Sequence, residues 1–278
     1  MQPVLCLLAA LGYGSAGFCA GVGARRGGVG PLLVIVQVVA AIAAAGAVLL
    51  FPGTGPSDQA LGWGALAGLG SVVGTLGLYS GYAVAPLRVA ETCSSVLSAV
   101  IPGIVGIALG EQLSLFSKIG LCAAIPAITL VVWQPDAPAG QRNYAGVGCG
   151  IGAGVGFAMV YIGLDYAGTA AGAWPLVANS SVALLLVAPL SRYLRKSPAD
   201  WRLAGLPATA AGVAGTAANL LFLFGAGHRQ LAIAVVLTAL YPSVTVILAR
   251  IFLAERCSRS QTTGLVIAVA AIALTLTR

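Results

Sequence analysis

Glu91, Ser95, Ser98 and Pro102 follow one another at spacings of four, three and four, so they share one face of any helix that carries them. Thr238, Tyr241 and Thr245 form a second stripe of the same kind, with Pro242 beside it. One carboxyl and a row of hydroxyls can orient a ligand by hydrogen bonds, and the carboxyl can also hold a proton. Bond-breaking chemistry needs more than this. The chain has a single histidine, His228, and its six cysteines (Cys6, Cys19, Cys93, Cys122, Cys149, Cys257) include no CxxC pair, which supports neither a metal site nor a disulfide framework. No His/Asp cluster or acidic pair stands at ligand spacing, so no enzyme, cofactor or metal is expected.

Five aromatic residues inside apolar stretches could line a cavity: Tyr13, Phe18, Tyr79, Phe157 and Tyr161. Ordinary packing is the competing explanation for each. Asn219 is better placed, because a side-chain amide inside an apolar stretch needs a partner, either substrate or another helix. For the serines and threonines the plain alternative is a hydrogen bond to their own backbone.

The elements that position these groups follow from composition. The chain is 59% hydrophobic and 8% charged, with a mean hydropathy of +0.99, whereas a soluble domain carries about 25% charged residues. Such a chain cannot cover itself in water and is expected to be an integral membrane protein. Ten apolar blocks read as transmembrane helices, at about 2–22, 31–51, 61–82, 89–110, 117–134, 144–164, 171–193, 203–226, 230–253 and 261–277. A barrel is excluded because the blocks do not alternate with period two. The first block lacks a basic leader and nine more follow it, so it reads as a span rather than a signal peptide. The net charge of +7 comes from lysines and arginines scattered at helix ends, which set topology and meet lipid headgroups. Nucleic-acid binding is not expected.

"GVGCGIGAGVGF" (146–157) places a glycine at every second position. Dinucleotide loops need Gly-x-Gly-x-x-Gly between a strand and a helix, and no such spacing or strand occurs here. In a helix, Gly146/Gly150/Gly154 share one face and Gly148/Gly152/Gly156 another. The third block repeats the device with Gly64/Gly68, Gly70/Gly74 and Gly77/Gly81. Small residues four apart let helices approach closely in lipid, so the run packs helices and does not hold phosphate.

An internal repeat organises the blocks. "IPGIVGIALGEQLSLFSKIG" (101–120) has a counterpart in "VTVILARIFLAERCSRSQTTG" (244–264), and Glu111 precedes Gly120 by the same nine residues that separate Glu255 from Gly264. The period is about 142–144 residues and holds five spans. An odd number of spans inverts the second half in the membrane, as in secondary transporters. The expected division is 1–140 and 141–278, and one chain already contains both halves, so a monomer suffices. Kinks at Pro102 and Pro242, at equivalent places in the two halves, point to a site near the membrane midplane. Glu91, Glu111, Arg250 and Glu255 fall at or near span ends, where gating or structural roles with solvation are expected. Ten lysines and arginines stand on one side of the ten-span scheme against three on the other, which places both termini outside.

The stretch "LYPSVTVILARIFLAERCSRSQTTGLVIAVAAIAL" (240–274) resembles the closing segment of the EamA family of the drug/metabolite transporter superfamily, and "IALGEQLSLFSKIG" (107–120) is similar to its first-half copy. "ARRGG" (24–28), "AWPLVA" (173–178) and "AANLLFL" (217–223) also resemble bacterial members. The resemblance implies ten helices in two inverted halves around a central cavity, moving a small organic molecule by alternating access. Members with ten spans usually have cytoplasmic termini, opposite to the charge count. Several relatives carry an Asp where this chain has Gly17 and an Arg where it has Ser180, which implies a site for a less charged ligand. The first span carries no acid, the position of the essential Glu in small proton-coupled members, leaving Glu91 as the fallback proton site.

The resulting expectation is an all-α, ten-span exporter or facilitator of a small neutral or zwitterionic metabolite, such as an amino acid or drug-like compound, in a bacterial cytoplasmic membrane. The alternatives are a flippase for a lipid-linked substrate and a non-transporting scaffold with a closed, dry centre.

Overall fold

The computed structural model describes residues 2–110, 144–194, 200–226 and 231–252, with residues 119, 122, 123, 126, 263, 266 and 267 besides. Glu111, Glu255 and most of the fifth and tenth expected spans lie outside the described residues. Within them the chain is helical and contains no strand: α1 Gln2–Gly27, α2 Val29–Leu50, α3 Asp58–Val84, α4 Leu87–Ala108, α5 Tyr144–Ala167, α6 Trp174–Leu194, α7 Trp201–Ala226, α8 Leu231–Thr238 and α9 Tyr241–Phe252. Among the described residues seven spans are long and apolar enough to cross a membrane, counting α8 with α9 as one, and α6 supplies a shorter apolar helix, Trp174–Leu190. In lipid every backbone N–H and C=O needs an internal partner, and a helix provides one for all but its ends. Large apolar side chains such as Ile42, Leu49, Leu185, Leu206 and Val213 point outward.

Helix ends follow local chemistry. Ser57 caps α3, its hydroxyl accepting from the Ala60 N–H at 3.2 Å. Asp200 caps α7, one carboxylate oxygen accepting from the N–H groups of Arg202 and Leu203 at 2.9 and 3.2 Å. Pro102 lies inside an unbroken α4. The two prolines differ in setting: among the described residues α4 runs unbroken through Pro102, whereas the segment 231–252 is interrupted at Ala239–Leu240 and α9 restarts with Pro242 in its first turn. A proline is well tolerated there because first-turn N–H groups have no helical partner.

α1 packs along α7, α3 along α5, and α2 lies between α6 and α7; α4 rests on α5 and α8, and α9 rests on α1. Glycines set the separation. A side-chain carbon on Gly70 would lie 2.5 Å from the Gly156 carbonyl oxygen, and one on Gly77 would lie 2.8 Å from the Cys149 carbonyl oxygen. Gly150 and Gly154 meet α4 at the Ala90 carbonyl and the Leu97 Cβ, at 2.7 and 2.6 Å. The second expected glycine face of this helix is only partly used. Gly156 is pressed against Gly74, while Gly148 and Gly152 have nothing within 4 Å.

Loops close both faces of the bundle. On one face the Asp200 N–H donates to the Gly27 carbonyl at 3.2 Å, joining the end of α1 to the start of α7. On the other, the Thr54 N–H donates to the Ala170 carbonyl at 2.8 Å and the Ala173 N–H to the Phe51 carbonyl at 2.9 Å. Gly53 and Gly172 take φ of 57° and 59° in these two loops. A Cβ on either would strike the backbone of the opposing loop, so both positions require glycine for conformation and for space. The ends of α1 and α5 therefore lie on opposite faces.

Gly156→Ala is expected to lower stability by about 1–3 kcal/mol through backbone overpacking. Gly152→Ala should be neutral or stabilise by up to about 1 kcal/mol through helix propensity. Thermal unfolding of both variants in detergent checks the contrast.

Candidate functional site

The core consists of two apolar clusters, one around Tyr161, Phe222 and Leu237 and one around Leu32, Tyr82 and Leu87, with Phe157 packed against both. Between them lies a cavity of about 100 Å³ bordered by side chains from α1, α2, α3, α4, α5, α6, α7 and α9. It has room for a few waters in this conformer and is smaller than the roughly 150 Å³ apolar cavity that admits benzene.

Of the residues expected at a site, the structure brings Tyr13, Tyr79, Glu91, Phe157, Tyr161, Asn219 and Tyr241 to this cavity. Tyr13 is the hub. Its hydroxyl donates to the Asn219 Oδ1 at 2.5 Å. Its ring meets Tyr161 and Tyr241 edge-on, at 5.9 and 6.4 Å between centroids. The partner that Asn219 needed is thus another helix.

The remaining candidates lie elsewhere. Ser95 and Ser98 donate to carbonyls of their own helix, Thr92 and Ser95, both at 3.0 Å. These are the backbone bonds of the plain alternative, since a helical serine readily reaches the preceding turn. Phe18 packs on Phe252 at 5.7 Å, Thr238, Pro102 and Pro242 are buried away from the cavity, and Arg250 is exposed.

Sequence reasoning passed over five polar residues on the wall, Gln37, Ser71, Thr75, Asn179 and Thr216, and Ser180, named above for the Arg of its relatives, joins them there. The Ser71 hydroxyl donates to Asn179 Oδ1 at 2.8 Å, tying α3 to α6. Thr75 and Thr216 donate to backbone carbonyls of their own helices, at 2.6 and 2.9 Å. Gln37 carried a usable signal, being a lone amide in an otherwise apolar block, as Asn219 was.

Glu91 departs most from expectation. It was placed near a span end with solvation as its explanation, yet it is fully buried, and α4 is the most enclosed span, with 61% of its apolar window buried against 33% for α2. Oε1 lies 2.7 Å from the Thr245 hydroxyl oxygen, and the Tyr241 hydroxyl reaches the Ser94 Oγ at 3.2 Å beside it. Neither Oε2 nor the Tyr82 hydroxyl has a hydrogen-bond partner among the described residues. All this converges on Gly17. A Cβ there would collide with Glu91 Oε1 and come within 3.0 Å of the Tyr82 hydroxyl and 3.3 Å of Thr245 Oγ1. The space that an acid at position 17 would enter is occupied by an acid from α4, so the neutral first span does not leave the cavity without an ionisable group.

Two outcomes follow from this geometry. Tyr13→Phe and Asn219→Leu should each cost about 1–2 kcal/mol, with a coupling of about 1 kcal/mol in the double mutant, read from unfolding midpoints. Gly17→Ala should destabilise by about 1–3 kcal/mol by displacing the carboxyl. Gly215→Ala, on the same wall with only Ala16 at 3.9 Å, should melt like the parent.

The fold is shared with a protein of known crystal structure at 15% sequence identity, which superposes with a TM-score of 0.73 over 99% of this chain and 98% of its own. No curated protein matches the sequence. Residues 144–277 match the EamA-like transporter family, and that segment supplies Phe157, Tyr161, Asn179, Asn219 and Tyr241 to the cavity wall.

Proposed function

We propose that the protein carries a small organic metabolite, neutral or zwitterionic, across a bacterial cytoplasmic membrane by alternating access, as an exporter or facilitator. The observation that carries this reading is the cavity itself. It lies among apolar spans, is bordered by segments from before and after residue 140, and presents hydroxyls, amides and one carboxyl alongside tyrosine rings. A scaffold has no need of a polar centre, which costs stability in lipid. The match of residues 144–277 to a transporter family favours the same reading.

The ten-helix, two-repeat organisation, with units 1–140 and 141–278, is part of the proposal. Three regularities support it. Helices starting at 29, 58 and 87 have counterparts starting at 174, 201 and 231, and the caps Ser57 and Asp200 stand in matching places. The α1–α7 packing becomes the α3–α5 packing when the halves are exchanged, and α2–α7 becomes α3–α6. The Gly27–Asp200 closure likewise becomes the closure between Ala170 and the loop ending at Ser57. Helices related in this way, α1 and α5, end on opposite faces. Two matched closures with a cavity between them are what an alternating pair of gates requires.

Opening the Phe51–Ala173 face means separating the loop bonds at Thr54 and Ala170. In a background with the native cysteines replaced, Thr54→Cys with Ala170→Cys should lock that gate. Reconstituted in liposomes, the pair should move labelled amino acids or small amines at least about tenfold more slowly when oxidised and recover on reduction. Movement indifferent to the lock would remove this face as a gate. Flipping of a labelled lipid with no solute movement would favour the flippase, and no movement of either would favour the scaffold.

A further inference from the structure

Glu91 makes one demand that helix packing leaves unmet. Its carboxyl is fully buried, it borders the cavity, and among the described residues no lysine, arginine or histidine lines that cavity. From α1 the backbone of Gly14 and Gly17 faces it, from α3 the Tyr82 hydroxyl, and from α9 Tyr241 and Thr245. Among the described residues α5 and α8 bring no charged side chain to it. An isolated carboxylate buried in this way is costly unless a positive charge or a proton accompanies it.

The hydrogen-bond geometry identifies the companion in this conformer. Thr245 Oγ1 stands 2.7 Å from Glu91 Oε1 and 2.8 Å from the Gly14 carbonyl oxygen, and its single hydrogen can serve only one of them. Both contacts become hydrogen bonds when Glu91 itself carries a proton, donates it to Thr245, and Thr245 donates to Gly14. A deprotonated Glu91 leaves one close oxygen pair without a hydrogen between them.

We propose that Glu91 is a shared subsite for a proton and for the ammonium group of an organic amine, so that the transporter exchanges one for the other. The proposal rests on the transporter reading and revises its substrate charge, from a neutral or zwitterionic metabolite to a monocationic organic amine. In the closed conformer Glu91 is protonated. When the cavity opens, the carboxyl releases its proton to water and an ammonium ion takes its place, so one proton leaves for each monocation bound and the charge of the site is unchanged. The tyrosine rings of Tyr13, Tyr161 and Tyr241 surround the place where the cation's organic part would lie, and ring faces attract cations. A neutral alcohol of the same shape makes the ring contacts but cannot displace the proton.

The test uses the purified full chain in detergent and matched probes: ethylamine, isopropylamine, cyclohexylamine and benzylamine, each beside its alcohol. Binding is read by thermal shift, and proton release by a pH dye in weak buffer. At least one amine should bind about tenfold or more tighter than its alcohol. It should release one proton per molecule and gain about tenfold in apparent affinity per pH unit over the range in which Glu91 holds its proton. Glu91→Gln should abolish the proton release and the pH dependence and weaken amine binding about tenfold or more. If Glu91→Gln does not fold, Glu91→Asp and Thr245→Val serve instead, with altered pH dependence at unchanged stoichiometry as the expected result. Amines binding no better than alcohols, release of no proton, or no binding by any amine would overturn the proposal. Alcohols that bind and cross liposome membranes while amines do not would leave the transporter reading standing and the amine subsite refuted.

Discussion

Close backbone approach between helices is the constraint on which everything else in this structure depends. Lipid tails are as apolar as leucine, so no hydrophobic force drives one span against another, and packing must do so through short-range contact. The glycines of α3, α5 and α1 allow that contact, bringing Gly70 against the Gly156 carbonyl and Gly14 against the Tyr241 carbonyl at 2.5 Å from a would-be side chain. With the backbones so close at these points, the large side chains gather where helices diverge. Tyr13, Phe157, Tyr161 and Tyr241 collect in that place, and the cavity forms between them.

The same packing decides the state of the polar groups. Hydroxyls and amides at the centre find partners across helices, as Tyr13 does with Asn219 and Ser71 with Asn179, so each pair is both satisfied and a tie between elements. Glu91 Oε2 and the Tyr82 hydroxyl stand apart from this pattern, unpartnered among the described residues and facing the room left by Gly17. An unmatched carboxyl oxygen carries more charge than an unmatched hydroxyl, so Glu91 is where the polar centre is least satisfied. That point borders the cavity, where a solute or a proton can relieve it.

The break at Ala239–Leu240 belongs to the same design. Thr245 reaches Glu91 and Gly14 from α9, which restarts after the two-residue turn at Ala239–Leu240. A continuous helix would fix both halves of the span to one axis. Two short pieces allow α8 to seal against α4 while α9 leans on α1.

What the sequence determined by itself was the material of the protein: apolar helices, small-residue faces, and a sparse set of polar groups inside them. These follow from composition and period, which depend on each residue's own chemistry and that of its neighbours along the chain. Tyr13, Tyr161, Tyr241 and Asn219 were legible because a polar or amphipathic side chain in an apolar span must find a partner. The tertiary structure alone decided which partner. It turned Ser95 and Ser98 back onto their own helix, made Gln37, Asn179 and Ser180 part of a wall, and carried Glu91 from an apparent span end into the space beside Gly17. Contact between residues 14, 91 and 245 depends on how far separate helices slide and tilt against each other, and no local spacing encodes that distance.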